Sequence, residues 1–172
     1  MNMPLSNIFP KALTTSRWAS YALLAVRLMV GFGFVAHGYA KLHKGPEAFA
    51  AILHAIGVPA PHLMSWLTIT TELVGGTAML LGTFVPLVGV PMIVLLLVAV
   101  VTVHLPYGFS SIKLMSVTNG RAQFGPPGYE TDLLYIACIV ALILSGPSPF
   151  SLDAYRLRKE VQAAHRLSFH RG

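Results

Sequence analysis

Charge is what this sequence has least of. Asp, Glu, Lys and Arg make up 10% of its 172 residues, against about 25% in soluble domains, so its surface is not made for water. Cysteine is nearly absent as well. With Cys138 alone, no internal disulfide and no Cys-based zinc or iron–sulfur site can be assembled, and no metal site is expected. In its apolar run that thiol reads as a small packing residue. No glycine-rich dinucleotide fingerprint follows a strand, and the chain has no phosphate-binding loop, no HExxH and no GxSxG. A cleaved signal peptide fits the N-terminus poorly. The apolar segment after Trp18 exceeds the roughly 7–15 residues of a signal core, and Arg27 would interrupt it.

What is present is apolar: 55% of the residues are hydrophobic. A helix crossing a membrane needs about 20 mostly apolar residues at about 1.5 Å each. The stretch from Leu63 to Leu105 holds one acid, Glu72, and no Lys or Arg. As a single helix it would be about twice as long as the hydrocarbon is thick, so it must fold back, and Gly82-Thr83-Phe84-Val85-Pro86 supplies the break. The fold class read from this pattern is all-α: an integral membrane four-helix bundle of antiparallel up-and-down spans. A polar lead-in covers residues 1–18, the transmembrane domain residues 19–146, and a basic tail residues 147–172. The spans are expected near 19–40, 63–81, 85–105 and 128–145. Trp18 and Tyr39 stand where interfacial aromatics belong. Residues 48–56 are too short to cross and read as an interfacial turn of helix ended by Gly57 and Pro59. Residues 106–127 read as a loop outside the bilayer. The fourth span is short and must begin near Gly128, which puts Glu130 and Asp132 in its first turn, where the helix dipole favours acids.

The net charge is +6, yet no basic, aromatic-interleaved groove marks a nucleic-acid binder. Five of the twelve Lys and Arg follow Asp153, and most others flank apolar segments. Lys11, Arg17, Arg156, Arg158, Lys159, Arg166 and Arg171 fall on one side of a four-span arrangement, and Lys41, Lys44, Lys113 and Arg121 on the other. The positive-inside rule then places both termini in the cytoplasm.

Few residues can carry chemistry. Arg27 lies well inside the first span, where a charge costs about 2.5–3.5 kcal/mol, and Glu72 is the only acid deep in another span. Counted from the expected span ends, their depths agree, and an Arg27–Glu72 pair inside the bundle is expected. It would serve either helix register or function. Gly31, Gly38, Gly75 and Gly76 on the same two spans read as helix-packing sites. A second group gathers at the outer ends of the spans: His37, Lys41, His104, Glu130 and Asp132 are candidates for a ligand site or proton path. His43, His54 and His62 read as interfacial anchors. His37 and His104 stand at similar depth on different helices, as two axial haem ligands would, but nothing else in the sequence asks for haem.

The run Arg27-Leu28-Met29-Val30-Gly31, followed by Phe34-Val35-Ala36-His37-Gly38-Tyr39-Ala40-Lys41-Leu42, resembles the opening of the DoxX family of small inner-membrane proteins (DoxX/DoxD-like). Gly57-Val58-Pro59, Thr71-Glu72-Leu73-Val74-Gly75-Gly76, Leu81-Gly82, Gly108-Phe109, Gly128-Tyr129-Glu130 and Gly146-Pro147 through Pro149-Phe150-Ser151-Leu152-Asp153 continue the resemblance in order. It implies a multi-pass protein of a bacterial or archaeal inner membrane, with Arg27, His37, Gly38, Lys41, Glu72 and Glu130 as its polar positions. One branch of that family is a small subunit of a thiosulfate:quinone oxidoreductase, and others are linked to redox or thiol-stress complexes. The loop Ser110–Pro127 is longer than the glycine-rich connection of many members. Two functions follow. One is the accessory membrane subunit of a quinone-linked oxidoreductase, with a bound quinone and a redox partner subunit. The other is a non-enzymatic carrier or scaffold for a small molecule or lipid. Membrane lipids are expected partners, and four short helices form a large pathway only as a homo-oligomer.

Overall fold

The computed structural model describes residues 16–169, with side-chain positions from Tyr21 to Ala163. Most of the lead-in, with Lys11, the side chains of Arg17, Trp18 and Arg166, and Arg171 therefore lie outside what is described. The described chain is mainly helical. Helix α1 (Ser16–Lys44) is followed by α2 (Pro46–Ala55) and α3 (Pro61–Thr70). Without a break, α3 runs through a π turn, Thr71–Gly75, into α4 (Gly76–Leu81). Helix α5 (Val85–Ala99) likewise continues through a π turn, Val100–His104, and a 3-10 turn, Leu105–Tyr107. Helices α6 (Glu130–Ser145) and α7 (Leu152–Phe169) complete the chain.

Local chemistry sets these boundaries. Proline occupies the first turn of α2, α3 and α5, where its missing N–H costs nothing. Gly82, at φ 63°, closes α4: Thr83 N donates to Ala78 O at 2.9 Å and Gly82 N to Met79 O at 3.1 Å, the paired bonds of a glycine-terminated helix. Ser151 caps α7 by accepting from Ala154 N at 3.0 Å.

Residues 106–127 are not simply a loop. Strands β1 (Leu114–Thr118) and β2 (Arg121–Phe124) pair antiparallel around Asn119-Gly120, both at positive φ. Two central residues with φ above zero define the turn whose twist suits a two-residue hairpin. Every residue of both strands is exposed.

Helix α1 packs on α4 and on the first π turn, α5 packs on α6, and α1 also touches α6. Val30, Phe34, Met79, Met92, Leu96, Ile139 and Leu142 form the shared core. In hydrocarbon, helices gain little by hiding apolar surface and are held by close contact. Gly31 and Gly76 provide it. A Cβ on Gly31 would lie 2.8 Å from Leu80 N and 2.9 Å from Gly76 O, and one on Gly76 would lie 2.9 Å from Val35 N. On α5 a Cβ at Gly89 would lie 2.8 Å from Ile143 Cδ1.

The outer surface is apolar: Leu87, Val101, Phe32, Val74 and Leu134 are all exposed. Two stretches, Tyr21–Lys44 and Val85–Tyr107, are long and apolar enough to cross a membrane. In the second, only 17% of the apolar window is buried. The core helix of a soluble protein would bury most of it, whereas this helix leaves most of its apolar surface exposed. Helix α6, at 16 residues, reaches about 24 Å at about 1.5 Å per residue, short of a core about 30 Å thick.

Candidate functional site

Between α1, α2, α3 with its π turn, α5 and α6 lies a cavity of about 870 Å³, within the range of small-molecule sites, about 300–1,000 Å³. Its walls are mostly apolar, with Phe34, Phe49, Leu53, Met64, Leu96 and Tyr135 among them. Its ionisable groups come from four elements: His37 and Lys41 of α1, Glu72 of the first π turn, His104 of the second, and Asp132 of α6.

Two contacts between ionisable side chains organise it. Lys41 Nζ donates to Glu72 Oε1 at 2.5 Å and lies 5.3 Å from the centre of the Phe49 ring. Lys41 thus ties α1 to the π turn and, through Phe49, to α2. The other carboxylate oxygen, Glu72 Oε2, is buried with no hydrogen-bond partner among the described residues. A buried acceptor without a donor is costly, and this one belongs to a cavity-lining side chain, so a ligand hydroxyl or N–H would satisfy it. The second contact joins α6 to the second π turn: His104 Nε2 stands 3.8 Å from Asp132 Oδ2, while His104 Nδ1 is 3.1 Å from Pro127 O. The backbone carbonyl favours the proton on Nδ1, leaving Nε2 directed at the acid.

Both π turns contribute an ionisable residue, Glu72 and His104. A π turn carries one residue more than an α turn and often marks a functional position. Pro91, inside α5, also lines the cavity, where its absent N–H loosens the helix wall.

The Arg27–Glu72 pair expected from the sequence does not form. Both side chains are buried, at 2% and 4% exposure, but Arg27 Nη1 donates to Ser148 Oγ at 2.6 Å and Nη2 to Phe150 O at 3.2 Å. The reason is helix register. Gly38 is the α1 residue level with Glu72, and Arg27 is level with Gly82. Eleven residues of α1, about 16 Å at 1.5 Å each, separate Arg27 from Gly38. Arg27 belongs to the far end of the helix and Glu72 to the cavity.

Of the other candidates, His37, Lys41, His104 and Asp132 line the cavity. Glu130 does not: its Oε2 accepts from Ser111 N at 2.9 Å and fastens the segment before α6. Gly38 packs against Glu72, where a Cβ would lie 2.9 Å from Glu72 Cβ, and Gly75 faces Met92. His62 pairs with Glu47 at 2.9 Å on the exposed surface. Sequence reading missed α2 as a wall of the site. Its Ala50 and Leu53 are buried and Ser65 Oγ donates to Pro46 O at 2.8 Å, whereas the only signal was a short apolar run. It also missed Tyr135, which meets Phe34 edge-on at 5.7 Å.

A family model described as DoxX matches residues 22–105, the stretch that carries α1 to the second π turn. A Mycobacterium tuberculosis protein named "Uncharacterized membrane protein Rv3486" is 29% identical over 146 residues, covering 83% of this chain and 85% of that one. A Bacillus subtilis protein named "Putative oxidoreductase CatD" is 28% identical over 132 residues, covering 77% and 84%. No solved structure matches the chain significantly. The apolar exposed helices and these relatives together make this a membrane protein.

Proposed function

Because residues 22–105 of this chain belong to the DoxX family, we propose that the protein is the membrane subunit of a quinone-linked oxidoreductase. In this reading the cavity takes the quinone ring. The spans are α1, α3 with α4, α5 with its turns, and α6, in a bacterial inner membrane. Both termini face the cytoplasm, with Arg156, Arg158 and Lys159 on that side.

The observation that carries the reading is Glu72 Oε2, buried and unpartnered among the described residues, in a cavity whose walls are mostly apolar. A quinol hydroxyl donates to such an oxygen, and the aromatic and aliphatic walls take the ring and its tail. Reduction of a quinone to a quinol consumes two electrons and two protons. The electrons come from a redox-active partner protein, since no cofactor motif stands in this sequence. In this reading Lys41–Glu72 and His104–Asp132, which line the cavity together, pass the protons. The relative named as an oxidoreductase is consistent with this chemistry. The predominance of apolar lining favours a second reading, a carrier that holds a lipid without chemistry.

Purification from native membranes in a maltoside detergent, followed by mass spectrometry of the extracted lipids, tests both. A stoichiometric quinone in the wild type, lost from Glu72→Gln and reduced in Asp132→Asn while yield and unfolding temperature stay close to wild type, supports the redox reading. A bound lipid other than quinone supports the carrier. Quinone retained unchanged by both variants overturns the placement of the site.

A further inference from the structure

The far end of α1 holds a second cleft, about 340 Å³, that the quinone reading leaves unused. Arg27 lines it and is 2% exposed. Its guanidinium donates to two neutral oxygens, Ser148 Oγ and Phe150 O, and its Nε is buried without a partner among the described residues. Among the described residues no carboxylate lies within 4.0 Å of it. A buried cation is ordinarily paired or hydrogen-bonded to charge, and this one is not.

The other groups of the cleft divide by polarity. Ser148 and Ser151 line it beside Arg27, and neither hydroxyl hydrogen has an acceptor among the described residues. Leu142, Ile143, Phe84 and Leu157 make its apolar side. Two acids line it as well. Asp153 is already engaged, its Oδ2 by Val85 N at 3.3 Å and its Oδ1 by Arg156 Nη1 at 3.4 Å. Glu160 stands on the exposed face of α7. The Asp153–Arg156 contact balances its own charges, and neither Asp153 nor Glu160 comes within ion-pair distance of Arg27. A Cβ on Gly82 would lie 2.5 Å from Arg27 Nη1, so the missing side chain keeps room for the guanidinium.

We infer that this cleft binds a phosphate-bearing anion, the phosphodiester of a phospholipid headgroup. Arg27 supplies the counter-charge, since its planar fork of N–H donors matches phosphate oxygens, and Ser148 and Ser151 donate their free hydroxyl hydrogens. The glycerol and the first acyl carbons lie against Leu142 and Ile143. The choice of a lipid over a soluble phosphate ester rests on that apolar wall and on α7, whose Arg156, Arg158 and Lys159 leave the same end of the molecule toward an anionic surface.

The test uses the full chain, delipidated in maltoside detergent, with thermal unfolding as the readout. Phosphatidylglycerol and phosphatidylethanolamine should each raise the unfolding temperature by about 5–10 °C, as a ligand at a hundred times its Kd does for a chain of this size. Diacylglycerol with the same chains but no phosphate should not. Arg27→Gln should abolish the shift. Should that variant not fold, the double variant Ser148→Ala/Ser151→Ala keeps the charge and should cut the shift by at least half. A shift equally large with diacylglycerol, or one that survives in the variants, overturns the proposal. Inorganic phosphate giving the full shift would overturn the headgroup assignment in favour of a soluble anion. Quinone retention at the Lys41 end should be the same in all these variants, so the two sites stand or fall separately.

Discussion

Lys41→Met removes the ammonium that holds Glu72 Oε1 and strands a carboxylate whose side chain is 6% exposed. Among the described residues both oxygens are then without a partner, since Oε2 has none to begin with. Breaking a buried ion pair from one side costs about 3–5 kcal/mol. Lys41 is 26% exposed, so water reaches the vacated end and the lower figure, about 3 kcal/mol, applies. The opposite change is milder. Glu72→Gln leaves an ammonium that swings to water and keeps its place over the Phe49 ring, for a loss of about 1 kcal/mol. The double variant has no carboxylate to strand and should match Glu72→Gln alone, a coupling of about 3 kcal/mol. Thermal unfolding of the four proteins in one detergent measures it. At about 2–4 °C per kcal/mol for a chain of this size, Lys41→Met should fall by about 6–12 °C, and the other two variants by about 2–4 °C. A double variant that falls by the sum of the singles would refute the idea that these side chains depend on one another.

Other substitutions probe the packing and the hairpin. Gly31→Ala drives a methyl into Leu80 N and Gly76 O, backbone that cannot step aside, and should cost about 1–3 kcal/mol by the same unfolding assay. Gly125→Ala, whose Cβ meets the flexible Met115 side chain at 3.1 Å, should leave the unfolding temperature unchanged. Gly120→Val places a β-branched residue at φ 72°. Because both strands are exposed, it should open the hairpin without lowering global stability, seen as faster tryptic cleavage after Arg121 at an unaltered unfolding temperature.

How far the sequence could be read depended on which signal each feature left. Helical rods announced themselves through long apolar runs broken at Gly82 and before Pro61, because hydrocarbon tolerates no unpaired backbone. Depth along those rods was less legible. Arg27 and Glu72 were levelled by counting from the expected ends of spans, yet α1 extends to Lys44 and its N-terminal turns pass beyond Gly82. A shift of a few residues at each end moved the partner of Glu72 from Arg27 to Lys41. Four of the five residues assigned to an ionisable mouth do meet in one cavity, since helix ends bring polar residues to a common level. Glu130 departed because Ser111, in a segment with no periodic pattern, captured it. The Asn119-Gly120 dipeptide was a usable hairpin signal overshadowed by the polarity around it. The π turns left no trace in the sequence, because their hydrogen bonds shift by one residue without any change of composition.

The two π turns have a consequence for direction. Successive residues of an α-helix differ by about 100° around its axis, so squeezing out the surplus residue at Thr71–Gly75 would rotate everything on one side of it by about that angle. Glu72 would swing away from Lys41, or Gly76 would turn from Gly31 and present Thr77 or its neighbours to a gap that admits no side chain. Backbone contact at Gly31 and Gly76 therefore fixes the rotational phase of the helix one turn before it. A contact between two residues that possess no side chain decides where the cavity's carboxylate points.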